Sequence, residues 1–326
     1  MSTYLRPEQI KTIAVIGTGS VGASWMSLFL SFGFDVVAQD PAPDAEKQAH
    51  AFVTDAWPAL RSLGIAHSEH PPLERIRFVK TAAEAASVAD LIQENVPERP
   101  DVKAAVLAEI DGAAAPHKII LSSTGGFAPT KLQEACSHPE RLVVLHPFNP
   151  THIIPLVEVV AGEKTAPAVT QWAVDFSRFI GKHPILLKKD ATGHMANRLQ
   201  FALLREAVHC LVEGIASAED IDAAVRYGLG PRWTLMGSLL TLHLAGGPGG
   251  MTGILAHAGD AVEAWWDALG DPKLTQEVKM QLIAAADEIS QGKSIEEWTQ
   301  WRDECLTDLI KLQKNGEQDL SRNKTA

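Results

Sequence analysis

Residues Thr12 to Asp40 read TIAVIGTGSVGASWMSLFLSFGFDVVAQD. Thr12 to Ile16 is a short, continuous apolar run, as expected of a parallel strand buried on both faces. It feeds into Gly17-Thr-Gly19-Ser-Val-Gly22, then into a helical pattern from Ala23 that closes at Gly33. A second strand, DVVAQ, ends at Asp40. Strand, GxGxxG, helix, strand and acid in this order predict a dinucleotide-binding α/β fold. Gly17 permits a tight turn, Gly19 lets the backbone approach a pyrophosphate, and Gly22 lets the helix pack against the strand. Ser20 and Val21 open the helix, whose N-terminus faces the phosphates. Asp40 lies near the ~20-residue offset at which a carboxylate takes the adenosine ribose hydroxyls and repels a 2′-phosphate, so NAD is favoured over NADP. A glycine turn without a ligand is the alternative to this reading.

The rest of the chain fits an ordinary soluble globular protein. Its 326 residues suffice for two domains, and 46% hydrophobic with 21% charged residues is ordinary globular composition. A net charge of −11 argues against a nucleic-acid or anionic-membrane surface. Cys136, Cys210 and Cys305 are widely spaced and form no CxxC pair, so neither a disulfide framework nor a metal site is expected. MSTYLRPEQIK has no basic-then-apolar leader, and no apolar run reaches the ~18 residues of a bilayer span. A cytoplasmic home follows as the expectation.

Further strands are expected at 77–79, 89–93, 118–122 and 184–188, with helices at 44–63, 101–114, 130–136 and 166–180. The composition turns polar at KDATG, residues 189–193. We therefore expect a Rossmann-type, mostly parallel sheet domain over 1–189 and a smaller all-α domain over 190–326. In the second domain, helices are expected at 195–213 and 217–227, then a glycine-rich connector, then helices to about Lys314. The polar tail KNGEQDLSRNKTA is expected to be disordered.

The chemistry concentrates in Arg141 to Val160, RLVVLHPFNPTHIIPLVEVV. One apolar run delivers His146; a second carries Glu158 between Val157 and Val159. A carboxylate in such surroundings is costly unless paired, and an imidazole oriented by it is a general acid/base unit poised near neutral pH. Glu98 and Lys103 sit just past a strand's carboxyl end, where ligands bind in open α/β sheets, although each also suits a solvated charge. Ser122-Ser123-Thr124-Gly125-Gly126 suits a crowded nicotinamide site, and equally a plain helix entry.

IGTGSVG, LIQENVPER, SSTGG, HPFNP, PLVEVV, ANRLQ and EDIDAAVRYGLG, in this order over nearly the whole chain, resemble the 3-hydroxyacyl-CoA dehydrogenases. The resemblance implies that His146 and Glu158 are the catalytic pair, that Asn197 contacts the substrate hydroxyl region, and that Glu98 and Lys103 approach NAD; Ser122 is a further candidate for NAD and, with Ser123, for the reacting oxygen. It also implies a homodimer. The family usually has a serine at the position of Gly125, whose role would then fall to Ser123, Thr124 or a water. The connector Gly230-Pro231-Arg232-Trp233 with the following AGG resembles a branch acting on small free hydroxy acids, which includes L-carnitine and L-gulonate 3-dehydrogenases. That branch implies oxidation of a secondary alcohol at C3, carnitine being the leading substrate. Arg232 is then a candidate clamp for the substrate carboxylate. Phe127, Phe148, Trp233 and Trp266 are candidates for an aromatic cage around a trimethylammonium head. An interface ion pair for Arg232 and core packing for the tryptophans are the competing readings. An acyl-CoA dehydrogenase and a catalytically silent NAD-binding protein are the rival functions.

Overall fold

The computed structural model describes residues Tyr4–Arg322, with side chains up to Gly316. Eight strands form one sheet: β1 Thr12–Ile16, β2 Asp35–Gln39, β3 Ile76–Phe78, β4 Leu91–Glu94, β5 Ile119–Ser122, β6 Leu142–Pro147, β7 Leu156–Ala161 and β8 His183–Leu186. Their order is β3-β2-β1-β4-β5-β6-β7-β8, and all neighbours are parallel except β6 and β7. Chain order reverses between β1 and β4, so the crevice at their carboxyl ends is the place for a ligand.

Helices α1 Ser20–Ser31, α2 Ala45–Ser62, α3 Ala82–Val88, α4 Pro100–Ala113, α5 Pro129–Leu132 and α6 Pro167–Phe179 connect the strands. Alternate strand residues feed two cores. Ile13, Val15, Val143 and Leu145 pack with Trp25, Phe29, Trp172 and Phe176, where Trp25 stacks on Phe29 at 5.3 Å and Trp172 on Phe176 at 5.0 Å. Ala14, Ile16, Leu142 and Val144 pack with Ala85, Leu107 and Ile110. Period-two alternation with apolar residues at both phases is what a sheet covered on both faces requires. At the entry to β6, the buried Arg141 guanidinium meets Asp111 at 2.7 Å and donates to the carbonyls of Asp111, Ala114 and Ala115, tying α4 to the strand that carries His146.

The chain divides into two compact units, one reaching to Asn197 and including Arg302–Lys311, the other comprising Arg198–Trp301 and the chain from Leu312. The second follows on α7 Ala196–Val212 with α8 Ala218–Ala223, α9 Gly230–Leu235, α10 Ser238–Ala245, α11 Gly250–Asp267, α12 Gln276–Ser290 and α13 Ile295–Arg322. Two expectations are corrected here. The glycine-rich stretch after Tyr227 is helical rather than a connector: a π-helical turn, Ala224–Leu229, runs straight into α9, and Pro231 sits in the first turn of that helix, where its missing N–H costs nothing. The polar tail is not released at Lys314, since α13 continues to Arg322; residues 323–326 lie outside the described part.

Candidate active site

At the head of β1, Gly17 has φ +82°, and a Cβ on it would lie 2.9 Å from the Asn95 carbonyl carbon and oxygen. A Cβ on Gly22 would lie 1.9 Å from the Gly17 carbonyl oxygen, whereas one on Gly19 would meet nothing within 4 Å. Two glycines therefore let loop and helix close up, and the third faces open space, as a phosphate-cradling turn needs. No side chain caps the N-terminus of α1, so the N–H groups of its first turn, which includes Ser20 and Val21, are left for an anion.

Asp40 directly follows β2, its Oδ2 accepting from the Thr18 N–H at 2.7 Å and its Oδ1 from the Ala42 N–H at 2.9 Å. A carboxylate retains lone pairs beyond these for ribose hydroxyls. It borders a groove of about 740 Å³ lined with Phe78, Val79, Lys80 and His50, large enough for an adenosine. The residues present fit a dinucleotide.

On the far side of the crevice, the β6–β7 antiparallel register sets His146 opposite Glu158. Glu158 Oε2 accepts from His146 Nδ1 at 2.7 Å, and Oε1 accepts from the Met195 and Ala196 N–H groups, both at 2.9 Å, at the start of α7. The carboxylate is fully buried. Burial pushes its pKa up, but the hydrogen bonds from His146, Ala196 and Met195 outweigh burial and hold it below the usual carboxylate range. A charged acceptor at Nδ1 puts the imidazole proton there and leaves Nε2 with its lone pair, directed at Gly125. The Phe148 ring closes one side of the imidazole at 5.1 Å.

Position 125 is pinned from three directions. Asn197 Nδ2 donates to the Gly125 carbonyl at 3.4 Å, and His194 Nε2 lies 2.9 Å from the Thr124 carbonyl. Glu98 Oε1 accepts from the Gly126 N–H at 2.7 Å and from the Thr124 hydroxyl. Burial pushes the Glu98 carboxyl up; Lys103 and these two donors overcome that and hold it low.

His194, structural or exposed by its sequence context yet close enough to Asn197 along the chain to enter the pocket, belongs to the site. It is fully buried in the left-handed region at φ +49°, a conformation a bulky residue holds only when its surroundings insist. Its ring centre is 5.2 Å from that of His146. Burial lowers its pKa, so it sits beside the pair as a neutral donor. The signal available was the dipeptide Gly193-His194 at the end of a polar stretch.

Three candidate roles are redirected by the geometry. Lys103 is buried and its ammonium serves Glu94 at 2.9 Å, the Val96 carbonyl at 3.1 Å and Glu98 at 3.3 Å, so it braces the site from beneath with no N–H left for a ligand. Ser122, also buried, donates to Glu94. Ser123 donates to Asn95 at 2.8 Å and accepts from Trp25 and Gln93. With Thr124 donating to Glu98, none of the three hydroxyls stands in for the serine that Gly125 replaces. Glu94, the buried anchor of this network, was missed because LIQEN reads simply as a strand end. His152 lies outside the pair: its Nδ1 takes the Ser24 hydroxyl at 2.8 Å, and burial with Lys182 and Arg302 pushes its pKa down to about 3. Arg232 and Trp233 belong to α9 in the second unit, both exposed, as is Trp266 on α11.

Comparison with known proteins gives the family. The family model for the 3-hydroxyacyl-CoA dehydrogenase NAD binding domain matches residues 12–191, and the model for the C-terminal domain of the same family matches residues 193–301. An L-carnitine dehydrogenase of Bacillus cereus is 46% identical over 94% of this chain and 93% of its own length. One of Nocardiopsis dassonvillei is 44% identical over 92% and 91%. Among solved structures, the FHMPC 5-dehydrogenase, an NAD+ dependent dismutase, superposes with a TM-score of 0.79 at 32% identity, covering 94% of this chain and 99% of that one. The cofactor is accordingly NAD. With one domain model matching residues 12–191, which include the paired His146 and Glu158, and the other matching residues 193–301, the chain belongs to the 3-hydroxyacyl-CoA dehydrogenase family.

Proposed function

We propose that this protein is an NAD-dependent dehydrogenase that oxidises the C3 hydroxyl of L-carnitine, a small free 3-hydroxy acid, to the 3-keto acid. The observation that carries the reading is the 2.7 Å pairing of His146 with a fully buried Glu158, in a chain 40–46% identical over most of its length to L-carnitine dehydrogenases. Bound NAD supplies the hydride acceptor. The gulonate, acyl-CoA and silent NAD-binding readings are not favoured.

In this mechanism His146 Nε2 takes the hydroxyl proton as hydride leaves C3. The resulting imidazolium faces Glu158, whose negative charge is already held in place by two backbone N–H groups and has no reorganisation to perform. A neutral His194 alongside avoids a second positive charge as His146 protonates. Asn197 has a second amide hydrogen free to bind the substrate oxygen. Phe148 packs edge-on against the imidazole at 5.1 Å. Arg232 and Trp233 are assigned the carboxylate and the trimethylammonium group on their chemistry, a guanidinium fork and an aromatic face. Lys103 and Ser122 are assigned to hold Glu94 and Glu98 in position rather than to touch NAD.

The working protein is taken to be a cytoplasmic homodimer. Unpaired Cys136, Cys210 and Cys305 support a reducing compartment, and the apolar surface of the helical unit supports the dimer. Among the described residues, no helix is long and apolar enough to cross a membrane.

The test follows NADH absorbance with L-carnitine, D-carnitine, L-gulonate, 3-hydroxybutyrate and its CoA thioester. L-Carnitine is expected to show the highest kcat/KM. Turnover of the CoA thioester with no turnover of free acids would overturn the assignment, and NADH binding without turnover of any of them would leave a silent NAD-binding protein.

A further inference from the structure

A Cβ built on Gly125 would sit 2.6 Å from His146 Nε2, 3.1 Å from its Cδ2 and 3.1 Å from Asn197 Nδ2. A Cβ there would press on the two groups able to bond a substrate oxygen, the amide as donor and the imidazole through its lone pair. A side chain at position 125 would therefore cover both nitrogens, and its absence leaves them open to an oxygen lying in van der Waals contact with the Gly125 Cα.

Neither wall of that space can retreat cheaply. The imidazole is tethered through Nδ1 to Glu158 and flanked by Phe148 at 5.1 Å and His194 at 5.2 Å. The loop is held by its Thr124 carbonyl, its Gly125 carbonyl and its Gly126 N–H, with the Thr124 hydroxyl as a fourth tie. The neighbouring hydroxyls of Ser122, Ser123 and Thr124 are all committed elsewhere.

We propose that Gly125 is a specificity- and activity-determining residue: its missing side chain leaves His146 Nε2 and the Asn197 amide uncovered, so that the reacting C3 oxygen reaches both with no protein hydroxyl taking part. The inference rests on the dehydrogenase reading above. It adds that both nitrogens stay open only because position 125 has no Cβ, so a serine there, although the residue usual in the family, obstructs this chain's site instead of completing it.

The test compares Gly125→Ala with Gly125→Ser in the full-length protein. Both variants are expected to lose at least 100-fold in kcat on L-carnitine, Ser recovering no more than threefold over Ala, while the NADH dissociation constant stays within twofold of wild type. The primary deuterium isotope effect on kcat with C3-deuterated substrate is expected to rise in both, since a misplaced oxygen makes hydride transfer the slow step.

A second measurement reads the same contact without catalysis. Gly125→Ala is expected to lower Tm in the wild-type background and to leave it unchanged in a His146→Ala background, where the crowding imidazole is gone. Recovery of folded Gly125→Ala only when His146→Ala accompanies it supports the proposal equally. Full activity of Gly125→Ser, or an equal loss of Tm in both backgrounds, overturns it. A wild-type protein that turns over no hydroxy acid would instead remove the dehydrogenase reading and leave the Tm comparison standing as the test of the contact.

Discussion

At the scale of single residues, the site depends on three N–H groups converging on one carboxylate. Glu158 accepts from His146, Met195 and Ala196, and an amide in its place has one oxygen for the three donors. Glu158→Gln should therefore lower kcat by about 10²–10⁴-fold, the range general for losing an oriented acid/base partner, with NADH affinity unchanged by fluorescence titration. The same residue links stability to pH. Its folded pKa lies below the usual 4.5, so its stabilisation is complete above that value and is lost as pH falls through the lowered folded value. The difference in unfolding free energy between wild type and Glu158→Gln should thus be largest near neutral pH and shrink below about pH 4.5, as read from urea titrations at pH 7 and pH 3.5. A gap that widens in acid would show that the carboxylate is not held in its charged form. This pair was legible in the sequence, because a charge among valines needs a partner and His146 ends the preceding apolar run. His194 was not, since its placement depends on one left-handed backbone conformation that no periodic pattern announces.

At the scale of elements, the glycine turn and α1 behave as one piece. A methyl group on Gly22 would meet the Gly17 carbonyl oxygen at 1.9 Å, which neither backbone can absorb without opening the loop. Gly22→Ala should cost about 1–3 kcal/mol of stability, the usual range for overpacking, and weaken NADH binding at least tenfold in a fluorescence titration. Unchanged NADH affinity would mean that the cradle does not need close apposition of loop and helix. Thr12–Ile16 and Asp35–Gln39 are strands that the sequence delimits to the residue, because glycine and aspartate punctuate both ends of the unit. The fourth strand was harder: Ala89 is fully buried, yet it caps α3, and β4 starts only at Leu91. Burial alone does not separate a strand from the helix cap that precedes it. The helical course of Gly230–Leu235 was hidden for a related reason, since glycine and proline carry the same letters in a turn as in the first turn of a helix.

At the scale of the whole molecule, the two units differ in how they use their apolar residues. The sheet unit encloses them between helices, whereas α10 exposes Leu239, Leu240, Leu242 and Leu244 together, Leu239 at 75%. Trp265 and Trp266 on α11 are 64% and 65% exposed. A helix apolar around its circumference belongs in an interior, and contiguous apolar surface of this kind marks an interface rather than a solvated face. The proposed occupant is a second copy related by a two-fold axis, the commonest closed arrangement for a soluble chain. Sedimentation at micromolar concentration should accordingly give twice the chain mass of 35.2 kDa. The double variant Leu239→Glu/Leu242→Glu places charge in that surface and should shift the protein to monomer, while Gly17, Gly19 and Asp40 lie in the other unit and keep their affinity for NADH. A wild-type chain that sediments as a monomer removes the dimer and transfers the apolar helices to another partner. A double variant that stays dimeric with unaltered dissociation excludes α10 from the interface and leaves Trp265 and Trp266 as the next surface to charge.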